Sequence, residues 1–224
     1  MVLVGRDRAR LDATAMVIRD AGGSAVVATC DVRDATSVDK LGRQLEAHDV
    51  SILINNAGVA GPVAPLDDIE VADWDDVFAA NVRSVFLMCK AFGPAMRYRG
   101  TGDIINIGSV AGSRPLARRS PYCASKAALC ALTDVLAHEL GPAGVRVNTL
   151  APGPVAGERM TRNFIAESER LGITVAEAEA EYVGRSASQR MVTQDEVAAA
   201  VVAMLSMTGL NGSLVDLSAG MIAR

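Results

Sequence analysis

The stretch 50–58, VSILINNAG, sets a short run rich in Val, Ile and Leu directly against two amides and a small-residue turn. An apolar run of this length predicts a strand buried on both faces, as happens where helices cover both sides of a parallel sheet. Upstream, residues 2–4 form a short β-branched run ended by Gly5, and a helix is predicted over 8–21, closed by Gly22-Gly23. A strand over 25–30 follows, and Asp31 and Asp34 open a helix to about Ala47. Strand, helix, strand, helix, strand is the rhythm of a parallel sheet with crossover helices.

Downstream the same rhythm continues. Trp74, Val77, Phe78, Val82, Val85, Phe86, Cys89 and Phe92 recur at helical spacing and predict one long packed helix over 73–99. A buried strand over 104–107 precedes a helix over 121–140, which starts on proline and stops at Gly141-Pro142. Residues 145–150 form another strand, broken by Pro152-Gly153-Pro154. The polar, Glu- and Ala-rich stretch 155–187 predicts one or two amphipathic helices on a long lid-like connection. Thr193 and Glu196 form a capping box for a helix to about Ser206, and 213–217 is a sixth strand. Right-handed crossovers then give a single domain over 1–224: one twisted parallel sheet in a three-layer, Rossmann-like α/β fold. Ligands in such folds lie beyond the carboxyl ends of the strands. There stand Asn55-Asn56, Ser109 and Pro152-Gly153, which predicts one cleft.

Composition excludes several classes. The 224 residues carry a net charge of -4 without long like-charge blocks, which argues against a nucleic-acid partner or a membrane-docking face. No apolar stretch reaches the roughly 18 residues of a membrane span. Cys30, Cys89, Cys123 and Cys130 lack CxxC spacing, and His48 and His138 are the only histidines, so no metal site is expected. Free thiols in a reducing cytoplasm are the expectation.

Tyr122 and Lys126 lie four apart at the start of a predicted helix and share one face. A lysine ammonium beside a phenol stabilises phenolate, which turns a poor base into a usable one near neutral pH. Ser109, ending the preceding strand, is placed to hydrogen-bond the same substrate oxygen. The pair alone is a weak signal, since a helix-start aromatic and a solvated lysine give the same spacing.

With these residues in place, the chain resembles the short-chain dehydrogenase/reductase (SDR) family from Val2 onward. Asn55-Asn56-Ala57-Gly58 resembles its NNAG element, Tyr122 to Lys126 (YCASK) its YxxxK motif, and Pro152-Gly153 its PG turn. The resemblance implies a catalytic set of Asn81, Ser109, Tyr122 and Lys126. Asn81 would hold a water in a proton relay through a local helix distortion. It further implies cofactor contacts from Asp31 and Val32 at the adenine, from Asn55, Ala57 and Gly58 along the cofactor path, and from Tyr122, Lys126, Pro152, Gly153 and Val155 around the nicotinamide. Thr161 is a further, less well aligned contact. Gly5 followed by Arg6 and Arg8, where an NAD enzyme carries a carboxylate, resembles the NADP-preferring pattern, with NAD the alternative and a helix-start charge cluster the bland one.

The family's opening strand and TGxxxGxG loop find no match in these residues. The resemblance therefore implies a gap in the centre of the sheet and a shortened form of a longer reading frame. The expected activity is NAD(P)-dependent interconversion of a secondary alcohol and a ketone, with a 3-oxoacyl thioester reductase as one form of it. A catalytically incompetent structural or regulatory subunit, or a truncated product, is the competing class. Ala111, Leu116, Arg118 and Arg119 are expected to border a small-molecule substrate; the two arginines would suit an anion or simply face solvent. A homotetramer, or a dimer, is implied through the long helix, the helix from Pro121 and the terminal LVDLSAGMIAR.

Overall fold

The computed structural model describes residues 1–221. All six expected strands form and run parallel: β1 (Val2–Gly5), β2 (Val26–Thr29), β3 (Ile52–Asn55), β4 (Gly102–Ile107), β5 (Val145–Pro152) and β6 (Leu214–Leu217). The strands form two sheets, β1–β2 and β3–β4–β5–β6, with the break between β1 and β3 where the resemblance implies a gap. Among the described residues no strand is hydrogen-bonded to both β1 and β3. The small sheet is held by side chains, with Val2, Val4 and Ala28 packed into the same core as β4 and β5. As an edge strand, β3 buries Leu53 and Asn55 and leaves Ile52 and Ile54 45% and 43% exposed, where burial on both faces was expected.

The larger sheet lies between two helical layers. Ile104, Val145 and Val147 of β4 and β5 face α2 (Ala35–Gln44), α4 (Ser84–Arg99) and α5 (Ser120–Leu140), packing on Leu41, Phe92, Met96 and Leu129. Ile105 and Leu150 point the other way, onto Val201 and Met204 of α8 (Gln194–Ser206). This strand-wise alternation is the period-2 consequence of the pleat. Burying each such side chain contributes about 1.5–3 kcal/mol.

Caps fix where the helices begin. Asp7 accepts the Arg10 N–H at the start of α1 (Arg8–Asp20), and Asp34 accepts from Thr36 and Ser37 at the start of α2. The predicted capping box is present, Thr193 and Glu196 each bonding the other's backbone N–H. Two helices differ from expectation. α2 ends at Gln44, with Leu45 as its cap, short of the expected Ala47. The single helix over 73–99 is divided into α3 (Val71–Phe78), a π-helical turn at Ala79–Arg83, and α4. The polar stretch forms α6 (Glu158–Leu171) and α7 (Val175–Val183), with Met160, Phe164 and Ala178 as a small core of their own.

A buried polar chain crosses the sheet and was not foreseen. Asn55 Nδ2 donates to Asn106 Oδ1 at 2.8 Å, Asn106 Nδ2 to Thr133 Oγ1 at 2.9 Å, and Thr149 Oγ1 to Thr133 Oγ1 at 2.8 Å. It ties β3, β4, α5 and β5 together beside the site.

Candidate active site

The carboxyl ends of β3, β4 and β5 open into a cavity of about 770 Å³. Its walls include Asn56 and Gly58 after β3, Ser109 and Ala111 after β4, Tyr122 and Lys126 of α5, and Pro152, Gly153 and Val155 after β5. Glu158, Arg159, Met160, Arg162 and Asn163 of α6 and Tyr182 of α7 supply the lid side.

Lys126 is buried and donates Nζ to the Ile107 carbonyl oxygen at 2.8 Å. Its ammonium lies 5.9 Å from the centre of the Tyr122 ring. Burial pushes the lysine below its ordinary value, partly opposed by Tyr122. For the Tyr122 phenol, burial acts upward, but the Lys126 charge, the Ser109 hydroxyl and the Arg159 guanidinium together outweigh it and hold the group below its ordinary value. Ser109 Oγ accepts the Ala111 N–H at 3.2 Å, which leaves its own proton to donate into the cavity.

Two glycines permit this closeness. A Cβ on Gly112 would sit 2.9 Å from the Lys126 backbone, so the 3-10 turn at Val110–Gly112 packs directly on α5 and brings Ser109 to Tyr122. A Cβ on Gly58 would lie 2.8 Å from Asn81 Oδ1 and 3.8 Å from Lys126 Nζ. Asn81 lies in the π-helical turn, the local distortion expected at that position, and is 1% exposed. Its Oδ1 accepts the Val59 N–H, and both amide protons go to Val59 O and Ser125 Oγ, so the side chain has no proton left for a ligand.

The remaining expected residues separate by position. Gly58, Pro152, Gly153 and Val155 share the cavity with Ser109, Tyr122 and Lys126, as do Ala111, Leu116 and Arg119. Asn55 is turned into the buried polar chain, and Ala57 lies outside the lining. Arg6, Asp31 and Val32 stand at the ends of β1 and β2, apart from the cavity; Val32 packs on the main core. Asp31 is held by Arg33 at 2.8 Å, which also reaches Asp76 at 2.6 Å; the Arg33 hydrogen bonds bring the Asp31 carboxyl down to about 2. Asp7 caps α1 and pairs with Arg10, while Arg6 has no ion pair among the described residues. Thr161 donates to Gly157 O within its own helix and does not line the cavity.

A buried lysine under a tyrosine, a serine from the neighbouring strand end and an asparagine in a π-helical turn form one unit, and the family model described as short chain dehydrogenase matches residues 1–169. The chain belongs to the short-chain dehydrogenase family. Among its relatives is a galactitol 2-dehydrogenase (L-tagatose-forming) of Cereibacter sphaeroides, 43% identical over 162 residues, covering 70% of this chain and 62% of that enzyme. The chain spans 50% and 62% of the length of two curated relatives that it matches. In structure it is similar to an NAD+-bound xylitol dehydrogenase, with TM-score 0.90, 25% identity and coverage of 96% of this chain and 86% of that one. It is likewise similar to an actinorhodin polyketide ketoreductase with NADPH, with TM-score 0.92, 28% identity and coverage of 98% and 86%.

Other features of this short-chain dehydrogenase were outside the reach of its sequence. Arg159 and Arg162 line the cavity from the first two turns of α6, where the sequence shows only a charged amphipathic stretch. Arg114 reaches across to Asp216 of β6 at 2.6 Å. Among the described residues no group of His, Cys, Asp and Glu could hold a metal ion, and no helix is long and apolar enough to cross a membrane. All four cysteines are free thiols.

Proposed function

We propose that this chain is an NADP(H)-preferring oxidoreductase that interconverts a secondary alcohol and a ketone. The observation that carries the reading is Tyr122 over the buried Lys126, with Ser109 beside it, in the one cavity at the strand ends. The residues on the nicotinamide side fit a dinucleotide. Gly58 lines the cavity, and the pairing of Val155 with Val192 runs through the groups of Pro154 and Ala156, leaving the Val155 N–H and C=O to a ligand. Pro152, Gly153 and Lys126 would border the ring and its ribose, with Asp31 and Val32 at the adenine and Arg6 at a 2′-phosphate. When bound, a nicotinamide dinucleotide takes the hydride from the carbinol carbon in oxidation and gives it back in reduction.

The chain's own groups handle the proton. In oxidation Tyr122, as phenolate, removes the hydroxyl proton while Ser109 hydrogen-bonds the substrate oxygen; in reduction Tyr122 returns that proton to the forming alkoxide. Lys126 acts by charge, holding the phenol near the ionisation state the chemistry needs. Asn81 fixes Val59 and Ser125 around this group, and a water relay would have to run through its backbone.

A polyol-like secondary alcohol is supported by the identity with the galactitol 2-dehydrogenase. A 3-oxoacyl thioester is the other substrate class, supported by likeness to the polyketide ketoreductase. We further propose a cytoplasmic homotetramer, with a dimer as its smaller unit. Phe86, Tyr98 and Val135 are exposed along α4 and α5, and Leu214 on β6; Ile222 to Arg224 of the terminal segment lie outside the described residues.

A second reading, a non-catalytic SDR-like chain, is favoured by one observation: β1 and β3 stand in separate sheets, with no strand hydrogen-bonded to both among the described residues. Calorimetric titration of the purified chain with NADPH and NADH, followed by a turnover assay with polyols, separates the two. NADPH binding at one site per chain with turnover is the expected result. A folded chain that binds neither nucleotide overturns the enzyme reading.

A further inference from the structure

The arginines on and around the lid divide into two sets. Outside the cavity, Arg170, Arg185 and Arg190 are each paired within the chain, to Glu167, Glu181 and Glu196. Arg119, Arg159 and Arg162 line the cavity and have no carboxylate partner among the described residues. Arg114, also in the lining, is neutralised by Asp216 at 2.6 Å. The only carboxylate in the lining is that of Glu158, in the first turn of α6, so the cavity carries an excess of fixed positive charge.

Arg159 occupies the position that matters. Its guanidinium carbon lies 5.6 Å from the centre of the Tyr122 ring, on the lid side. Lys126 approaches the same ring at 5.9 Å and is bonded to the Ile107 carbonyl. The lysine is thus buried and spoken for, while Arg159, which also reaches toward the Tyr122 phenol, has no carboxylate partner among the described residues and keeps donors for an incoming group. The planar guanidinium fork matches carboxylate, phosphate and sulfonate oxygens two at a time. Arg159 and Arg162 are exposed to solvent and Arg119 is half-buried, so the contact is screened by water and its strength comes from the fork geometry and from three like charges converging on one group.

We propose that the substrate carries a negatively charged group, a carboxylate, phosphate or sulfonate, that docks on Arg159 between Arg119 and Arg162 while its carbinol carbon lies at Tyr122. The inference rests on the reading of Tyr122 as the acid/base group and adds the substrate's charge to it. Arg159 is then a specificity-determining residue: it orients the charged end so that the carbinol oxygen, a few bonds away, meets Tyr122 and Ser109. A neutral polyol of the same length lacks that anchor.

Glycerol, glycerate and glycerol 3-phosphate share a frame and differ in charge. Each is titrated calorimetrically into the full chain, with and without NADP+, and assayed for turnover, using wild type, Arg159→Gln, Arg159→Lys and Arg170→Gln. Charge-assisted hydrogen bonds of about 1.5–3 kcal/mol correspond to roughly 10–100-fold in affinity. Wild type is expected to bind one or both anions at least about tenfold more tightly than glycerol. Arg159→Gln loses that preference, Arg159→Lys recovers part of it, and the paired Arg170 is silent. Whether glycerate or the phosphate gains more identifies the anion. Equal affinity for all three compounds, or an anion preference that survives Arg159→Gln, overturns the inference. Turnover of neutral alcohols without anion preference leaves the oxidoreductase reading standing and removes this one. Arg159-dependent anion binding without turnover does the reverse.

Discussion

The Lys126 ammonium and the Tyr122 ring are 5.9 Å apart, and the lysine is pinned there by its 2.8 Å bond to the Ile107 carbonyl. The distance places a fixed positive charge under a phenol that burial alone would make less acidic. Oxidation needs the phenolate, so kcat/KM for alcohol oxidation rises with pH and levels off above the lowered Tyr122 value; ketone reduction needs the phenol and falls over the same interval. Lys126→Met removes the charge and moves both limbs to higher pH. Tyr122→Phe lowers kcat by about 10²–10⁴-fold while nucleotide binding persists. Steady-state rates across pH test both, and an unshifted limb in Lys126→Met would remove the lysine from the role.

Gly58→Ala asks how tightly the same group is packed. The added methyl would stand 2.8 Å from Asn81 Oδ1, inside van der Waals contact, and the Asn81 carboxamide is held by three hydrogen bonds. Relief requires the loop after β3 to move away from Lys126. Turnover is expected to fall at least about tenfold, with a stability loss of about 1–3 kcal/mol from overpacking. Measured kcat and a urea midpoint at wild-type values would show that the loop yields freely.

Local pattern carried much of the architecture. The strand runs, the Asp34 cap and the Thr193–Glu196 capping box are short-range features, and each formed where the spacing placed it. Tyr122 and Lys126 were legible for the same reason, because helical period alone puts them on one face. Sheet closure is long-range: the six strand runs do not by themselves reveal that β1 and β3 lack a common neighbour, and only the family resemblance implied that break. The π-helical turn was invisible to periodicity, since one extra residue in a turn hardly disturbs the apolar spacing of Val77, Val82 and Val85. Asn55 looked like a cofactor residue from its motif, but its amide found a better partner in Asn106, 51 positions away. Arg159 was hidden among the charges of a stretch whose orientation only the packing of α6 on α7 decides.

The buried polar chain predicts a stability effect remote from catalysis. Asn106 is 0% exposed, and Asn106→Ala removes both the acceptor for Asn55 Nδ2 and the donor to Thr133 Oγ1. Groups left unpaired in the core cost about 1–3 kcal/mol each. Asn106→Ala is expected to lower the unfolding free energy by about 2–4 kcal/mol, read from urea denaturation. A loss no larger than that of an exposed substitution would mean that water enters to repair the chain.

Asp31 makes stability depend on pH with a definite sign. Its folded-state value, about 2, is below its ordinary 3.8, chiefly through the Arg33 hydrogen bonds. The stabilisation is therefore present above about pH 4 and is lost as pH falls through 2. The carboxylate is a third exposed, so screening keeps the contribution under about 1 kcal/mol. Asp31→Asn should be less stable than wild type near pH 7 and equal to it below about pH 2. A stability difference that does not change with pH would assign the loss to geometry instead of charge.

Arg6 offers the sharpest test of cofactor preference. It follows Gly5 at the end of β1, and the nearby Asp7 is occupied by the α1 cap and Arg10. Arg6 makes no salt bridge among the described residues, and Asp31, the carboxylate that feels its charge, is held by Arg33. A 2′-phosphate would supply an ion-pair partner, whereas a ribose diol would gain little from a guanidinium. Arg6→Ala should therefore weaken NADPH binding by roughly 10–100-fold, the range of a lost charge-assisted contact, and weaken NADH binding far less. Arg6→Asp should go further and reverse the order, because a carboxylate repels the phosphate and accepts from the diol. Direct titration with both nucleotides measures the ratio. Equal losses for the two would show that Arg6 contacts what they share, and the preference for NADP would have to come from elsewhere.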